Sequence, residues 1–303
     1  MDPAPTLILD NISKSFGDFT AVSNLSLQVK PGRVFGLIGP NGAGKTTTIR
    51  MIVNITVPDS GRIQLLGQSM TTALQDRIGY LPEERGLYRR MKVGEQLRFF
   101  AELKNLTGAE AEARINRWLQ KLQLLDWKDK RTKDLSKGMQ QKVQFITAVI
   151  HEPDLLILDE PFSGLDPVNV ELMKETILEL KGANKTIILS THQMEIAEKL
   201  CDDVCMINRS RKVLDGRLRD IRRSFAHNAV AIKVEGVDGV LNDPELVASL
   251  REVGEEVEVL LAPDANPQTL LKRLVEAGAV IGKFELVEPS LHDIFIQKVR
   301  EAA

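Results

Sequence analysis

The sequence predicts an α/β domain built on a mixed sheet with both faces covered, followed by a smaller α+β module. Three observations carry this. Short, nearly continuous apolar runs (RVFGLIG, DLLILDEP, TIILS) alternate with helical patterns, as buried parallel strands do. A glycine-rich loop joins one such run to a helix. Beyond Arg217 the composition changes, and strands then alternate with capped helices to the C-terminus.

The elements follow in order. LILDNISKSF, FTAV and LSLQV read as three strands, and RVFGLIG as a fourth. Lys45 to Asn54 reads as a helix and RIQLLG as a strand. From Lys92 to Trp127 the pattern is helical, with Leu97, Phe100, Ala101 and Leu103 predicted on one face. Ile115, Trp118, Leu119 and Leu122 repeat at helical spacing in a second helix. A helix is expected around Val170 to Leu180, between two buried strands. The basic cluster Arg217, Arg219, Arg222 and Arg223 reads as a solvated linker helix rather than a binding patch. After it come strand AVAIKVEG, helix PELVASLREV, strand VEVLLA, helix PQTLLKRLVEAG, strand VIGKFEL and helix SLHDIFIQKV. Asp243-Pro244 and Asn266-Pro267 mark two helix starts, and Ser290 with Asp293 resembles a capping box.

Bulk properties exclude several classes. The chain has 303 residues and a formal net charge of −2, which leaves no basic footprint for nucleic acid. Cys201 and Cys205 lack a second Cys/His pair, so they predict free thiols rather than a zinc site. No apolar run approaches the roughly 18 residues of a membrane helix, and MDPAPTLILD lacks the positive charge of a signal peptide. The expected location is cytoplasmic, on the inner face of the membrane if a membrane partner is present.

GPNGAGKTT (39–47) fits the phosphate-loop pattern between strand and helix. Gly39, Gly42 and Gly44 let backbone N–H groups turn toward phosphate oxygens, with Asn41 and Thr47 in the same loop. Lys45 supplies a cation to the β- and γ-phosphates and Thr46 a hydroxyl to Mg²⁺. The loop alone does not choose among kinases, GTPases and ATPases. LLILDE narrows the field: Asp159 suits the metal and Glu160 suits a general base. The guanine-reading N-K-x-D is missing, since Asn184-Lys185-Thr186 is followed by Ile187. ATP and Mg²⁺ are the expected ligands.

At LSKGMQQK (135–142) the sequence resembles the ABC-transporter ATPases, with Leu135, Ser136 and Gly138 matching the signature and Lys137 and Met139 departing from it. The resemblance spans about Leu7 to Gly216. It implies a P-loop ABC cassette over residues 1–222, with a helical subdomain at about 85–150, and an accessory domain over 223–303. It also implies an adenine-stacking role for Phe16, a D-loop at SGLD with Asp166, and a switch histidine at His192. Ser136 and the N–H of Gly138 would cap the γ-phosphate of a second nucleotide-binding domain, giving a head-to-tail homodimer. IGYLPEERGLY stands at the Q-loop, so Glu83 takes the place of the glutamine near Mg²⁺, where EER by itself reads as a solvated turn. His151, His227 and His292 have no such context and read as structural. IGYLPEERGLY, LSKGMQQK and EPSLHDIF are similar to ATP-binding subunits of bacterial sodium and drug exporters, whose permease is a separate chain. The expected function is therefore an ATPase that drives an exporter through an integral membrane permease. The alternatives are an importer ATPase, or a non-transport ATPase acting on ribosomes or DNA.

Overall fold

The computed structural model describes residues 3–84, 86–225, 229–236, 239–262, 265–287 and 289–301. It divides into two compact units. One is Met1–Gln193 with Leu200–Asp215, the other Met194–Lys199 with Gly216–Ala303.

In the first unit the chain opens on the hairpin β1 (Leu7–Phe16) and β2 (Phe19–Val29). FTAV and LSLQV are one strand, not two. Asn24 takes a left-handed φ of 49° and exchanges hydrogen bonds with Ser13, so the apparent break is an irregularity within the ladder. The wholly buried β3 (Val34–Ile38) leads through the glycine loop into α1 (Lys45–Ile52). β4 (Ser60–Leu65) and β5 (Gln68–Ser69) return to the hairpin and give a four-stranded sheet in the order β2-β1-β4-β5.

β6 (Ile78–Leu81) then enters a second sheet. The expected helical stretch splits into α2 (Val93–Glu102) and α3 (Gly108–Lys121), separated where Asn105 turns left-handed. The buried stripe of α2 is Val93, Leu97 and Ala101, spaced by four, whereas Leu103 is 58% exposed. Leu97 and Ala101 are thus buried as predicted and Phe100 is half-buried, while Leu103 departs from the predicted face because it follows the last residue of the helix. In α3 the predicted Ile115, Trp118 and Leu119 are buried. The Trp118 ring meets Phe145 edge-on, 6.1 Å between centroids. Phe145 belongs to α4 (Lys137–Val149).

β7 (Leu155–Asp159), α5 (Pro167–Gly182), β8 (Thr186–Thr191), α6 (Met194–Leu200), β9 (Asp203–Asn208) and β10 (Arg211–Arg217) follow. The second sheet has the order β10-β9-β3-β8-β7-β6, parallel from β9 through β6. The main core joins the two sheets. Leu7, Leu9 and Leu27 meet Leu37, Ile157 and Ile188, with Ile49 and Ile52 from α1. Cys201 and Cys205 are free and buried, and burial pushes both thiols up.

The second unit contains α7 (Leu218–Phe225), β11 (Ala229–Glu235), β12 (Val247–Val253), β13 (Glu256–Leu261), α8 (Pro267–Glu276), β14 (Val280–Leu286) and α9 (Leu291–Glu301). The 222/223 boundary read from the sequence falls inside α7, whereas the compact units part at 215/216. The sheet order β12-β13-β11-β14, with antiparallel neighbours, is that of a split βαβ motif. Its first connecting helix is reduced to a 3-10 turn, Val240–Asn242.

The expected helix over PELVASLREV is instead strand β12. Asp243 does accept from the Glu245 N–H at 2.9 Å, but that turn feeds a strand paired with β13. The cap at Asn266-Pro267 is as predicted, with Asn266 Oδ1 accepting from Gln268 N–H at 2.8 Å. Leu270 of α8 is fully buried against Val230, Ile232 and Val259. Leu270→Ala is expected to destabilise the C-terminal unit by about 2–5 kcal/mol. Urea unfolding would read the loss, with ATP affinity unchanged.

Candidate active site

β3, β8, β7 and β6 run parallel, so their carboxyl ends share one edge of the sheet. Ligands of open α/β sheets collect at that edge. Here it carries the glycine loop after β3, Glu83 after β6, Asp159 and Glu160 after β7, and His192 after β8.

The loop is shaped by close backbone approaches. A Cβ on Gly39 would lie 2.1 Å from the Ile207 carbonyl oxygen of β9. Gly44 has φ 108°, and a Cβ there would lie 2.3 Å from the Ala21 carbonyl oxygen. Only glycine fits either place. The turn after β9 braces the loop from behind, where Ser210 N–H donates to the Ala43 carbonyl at 3.2 Å. Lys45 is 6% exposed and folds back over the loop, its Nζ donating to the Gly39 carbonyl at 2.8 Å and to Pro40 at 3.2 Å. Burial lowers its pKa, while Glu160, Asp159 and Glu83 oppose the shift.

Asp159 is fully buried, and neither carboxylate oxygen has a hydrogen-bond partner among the described residues. Burial holds its pKa above the usual carboxylate value, and Glu83 and Glu160 push the same way. The Ser190 and Thr46 hydroxyls lie near enough to ease the charge without reaching hydrogen-bond geometry. A buried carboxylate with open lone pairs beside a threonine hydroxyl is a donor set that fits a divalent cation. Among the described residues no three His, Cys, Asp or Glu side chains could cage a metal alone.

Glu160 takes φ 48°, a conformation costly for a non-glycine residue and common at working sites. It is held there by its N–H to the Ser190 carbonyl at 3.0 Å. Its Oε1 accepts from the His192 backbone N–H at 3.0 Å and lies 2.8 Å from the ring Nδ1, while Oε2 accepts from Thr191 at 3.3 Å. Lys45 Nζ stands 3.9 Å from Oε1.

Asn41, Gly42, Gly44, Lys45, Thr46 and Thr47 line one cleft of about 380 Å³ together with Glu83, Asp159 and Glu160. Its remaining wall is Ala21 and Phe19. Phe16, the predicted aromatic, pairs with Phe19 across the hairpin tip and lies under the Lys14 ammonium, outside the lining. Ser136, Gly138 and Asp166 also stand outside it. Ser136 caps α4, accepting from Met139 N–H at 3.2 Å, and Asp166 caps α5, accepting from Asn169 N–H at 3.0 Å. His151 is structural, its Nε2 placed 3.2 Å from the Ile78 carbonyl oxygen. His227 and Arg85 lie outside the described residues.

Three polar residues of α4 were missed by motif reading. Gln144 donates to the carbonyls of Pro82 and Glu84 at 3.2 and 2.9 Å, tying the Glu83 elbow to this helix. Gln141 donates to the Pro161 carbonyl at 3.2 Å and Lys142 to Asn169 at 2.9 Å. Gln141 and Lys142 close the LSKGMQQK stretch without a role of their own there, and no sequence pattern marks Gln144. Phe19 had a signal, an aromatic residue just past the Gly17-Asp18 turn from Phe16.

Two outcomes follow from the carboxylates. Because the Asp159 pKa is raised on folding, its charge costs nothing below the unfolded value and destabilises the fold as pH rises through the folded value. Asp159→Asn should therefore raise the melting temperature of nucleotide-free protein at neutral pH, and the gain should vanish in acid. Glu83→Gln removes one negative charge from the cleft, so the Mg²⁺ dependence of ATP hydrolysis should shift to a different midpoint in a metal titration.

Comparison with known proteins agrees with this geometry. The ABC transporter family model matches residues 22–163, and the model of the ATP-binding protein DrrA1-3-like C-terminal domain matches 216–299. The chain is 45% identical to the uncharacterized ABC transporter ATP-binding protein YhaQ of Bacillus subtilis (strain 168), over 97% of this chain and 98% of the relative. It is 39% identical to a Nod factor export ATP-binding protein I of Paraburkholderia xenovorans, over 97% of each. A solved ATP-binding subunit of an ABC transporter superposes with a TM-score of 0.68 at 34% identity, over 73% of this chain and 93% of that one. CbiO1 of Clostridium perfringens, part of the cbiONQ complex, gives 0.64 at 27% identity over 73% and 94%. Nucleotide loop, acidic strand end and whole-length likeness converge, and the chain belongs to the ABC transporter ATP-binding proteins, the cassette family that binds and hydrolyses ATP.

Proposed function

We propose that the chain is the ATP-hydrolysing motor of an exporter, pairing head to tail with a second copy around two ATP to drive a separate membrane permease. The observation that carries this reading is the one-sided cleft. Lys45, Thr46, Asp159 and Glu160 line it, while Ser136 and Gly138 stand elsewhere at the start of α4. A helix start whose capping serine still has a hydroxyl proton to donate, beside backbone N–H groups, suits the γ-phosphate of a facing copy. Export is supported by the likeness to Nod factor export proteins, and the absence of a basic footprint argues against ribosomes or DNA. A separate permease accords with the finding that no described helix is long and apolar enough to cross a membrane. In this reading the subunit works at the inner face of the membrane, with residues 1–222 handling nucleotide and 223–303 accessory.

The residues divide the work by position. Lys45 leaves the Gly39 and Pro40 carbonyls for the β- and γ-phosphates. Thr46 and Asp159, with Glu83 nearby, would hold Mg²⁺. When bound, the ion offsets charge on the phosphates. Glu160 takes the proton of the attacking water, and His192 fixes both the carboxylate and the γ-phosphate. The base stacks at the hairpin tip, where Phe16 and Phe19 face each other.

Glu160→Gln is expected to keep ATP binding and slow hydrolysis by about 10²-fold or more, the scale of a lost general base. Size-exclusion chromatography with ATP should then show a dimer that the wild type does not accumulate. Wild-type turnover in this variant would reject Glu160 as the base.

A further inference from the structure

Helix α6 begins two residues after His192, yet it is compact with the C-terminal unit rather than with the strand it follows. One hydrogen bond within that unit joins α6 to α9. Glu198 Oε1 accepts a hydrogen bond from the backbone N–H of Leu291, the first residue of α9. A helix start leaves its first N–H groups without partners inside the helix. Ser290 Oγ takes another of them, from Asp293, at 3.2 Å. The cap of α9 is thus shared between a local serine and a carboxylate 93 residues away. A carboxylate here also meets the positive end of the helix dipole.

The other end of the same short segment is fixed as firmly. His192 engages Glu160 through its backbone N–H and its ring, and Gln193 N–H donates to Thr191 Oγ1 at 3.0 Å. From the base to the first turn of α9 the chain therefore runs through one loop residue and one short helix, with Ile196 and Ala197 buried.

We propose that Glu198 is a positioning residue for hydrolysis. By gripping the first turn of α9 it sets the place of α6, and through α6 the place of His192 against Glu160. The C-terminal unit would then govern turnover without touching nucleotide. This rests on the roles given above to His192 and Glu160.

The test compares full-length Glu198→Ala, Glu198→Gln, His192→Ala and the Glu198→Ala/His192→Ala double variant in steady-state ATP hydrolysis. Misplacing a catalytic group by a fraction of an ångström to an ångström costs about tenfold or more in rate. Glu198→Ala should lower kcat about tenfold and leave KM for ATP within about twofold, on that same principle. Glu198→Gln, which retains an acceptor for the Leu291 N–H, should recover most of the rate. In the double variant the Glu198 change should add no further loss. Amide exchange at Leu291–Ile294 in the wild type should respond to ATP with Mg²⁺, and the response should disappear in Glu198→Ala. A wild-type kcat in Glu198→Ala, or losses that multiply in the double variant, would overturn the proposal. Should Glu198→Ala fail to fold, an ATP-independent exchange rate at Leu291–Ile294 in the wild type would overturn it equally. If His192→Ala alone turns over normally, the role of His192 falls and this proposal with it. If His192→Ala is slow while Glu198→Ala is not, only the proposal falls.

Discussion

Three charges, those of Lys45, Asp159 and Glu160, meet where water scarcely reaches, and the rest of the cassette is arranged around them. Ions taken out of water must be paired or hydrogen-bonded, or they neutralise. Lys45 is accommodated by two loop carbonyls and Glu160 by Thr191 and His192. Asp159 is left with both oxygens open. That combination suits a triphosphate and its cation, which would offset the charges and fill the open lone pairs. The parallel sheet makes this possible, because four strands deliver their carboxyl ends to one edge while their bodies stay largely buried.

Helix α4 is the second organising feature. Its N-terminus presents Ser136, and its flank holds four backbone or side-chain partners, in three places, through Gln141, Lys142 and Gln144. These reach Pro161 beyond the catalytic strand, Asn169 at the start of α5, and the elbow around Glu83. A movement of α4 would be felt at all three. Gly138 fits closely against the SGLD loop, with Leu165 3.4 Å from where its Cβ would be.

Much of this was legible in the sequence, and the reasons differ by element. The phosphate loop and LLILDE were readable because their chemistry requires particular residue types at fixed spacing. The buried strands were readable because apolar runs that short, closed at both ends by turn or polar residues, leave too few residues for a helix. PELVASLREV was not, since its Asp-Pro start and mixed polarity suit a helix, and only pairing with β13 makes it a strand. On α2 the predicted Leu97 and Ala101 are buried, but Leu103 is apolar yet exposed, since it stands past the helix end, which periodicity does not mark. Gln144 could not be found at all. An internal glutamine on a helix is unremarkable until the chain brings two carbonyls from sixty residues earlier to meet it.

The two buried cysteines have a practical side. A thiol reacts through its thiolate, and Cys201 and Cys205 are both shielded and held protonated by burial. The native chain is therefore nearly silent toward thiol-directed probes. A single cysteine placed on an exposed turn would carry a spin label or fluorophore against a clean background. The distance between two such labels could be followed through the nucleotide cycle in a protein that needs no prior removal of its own cysteines.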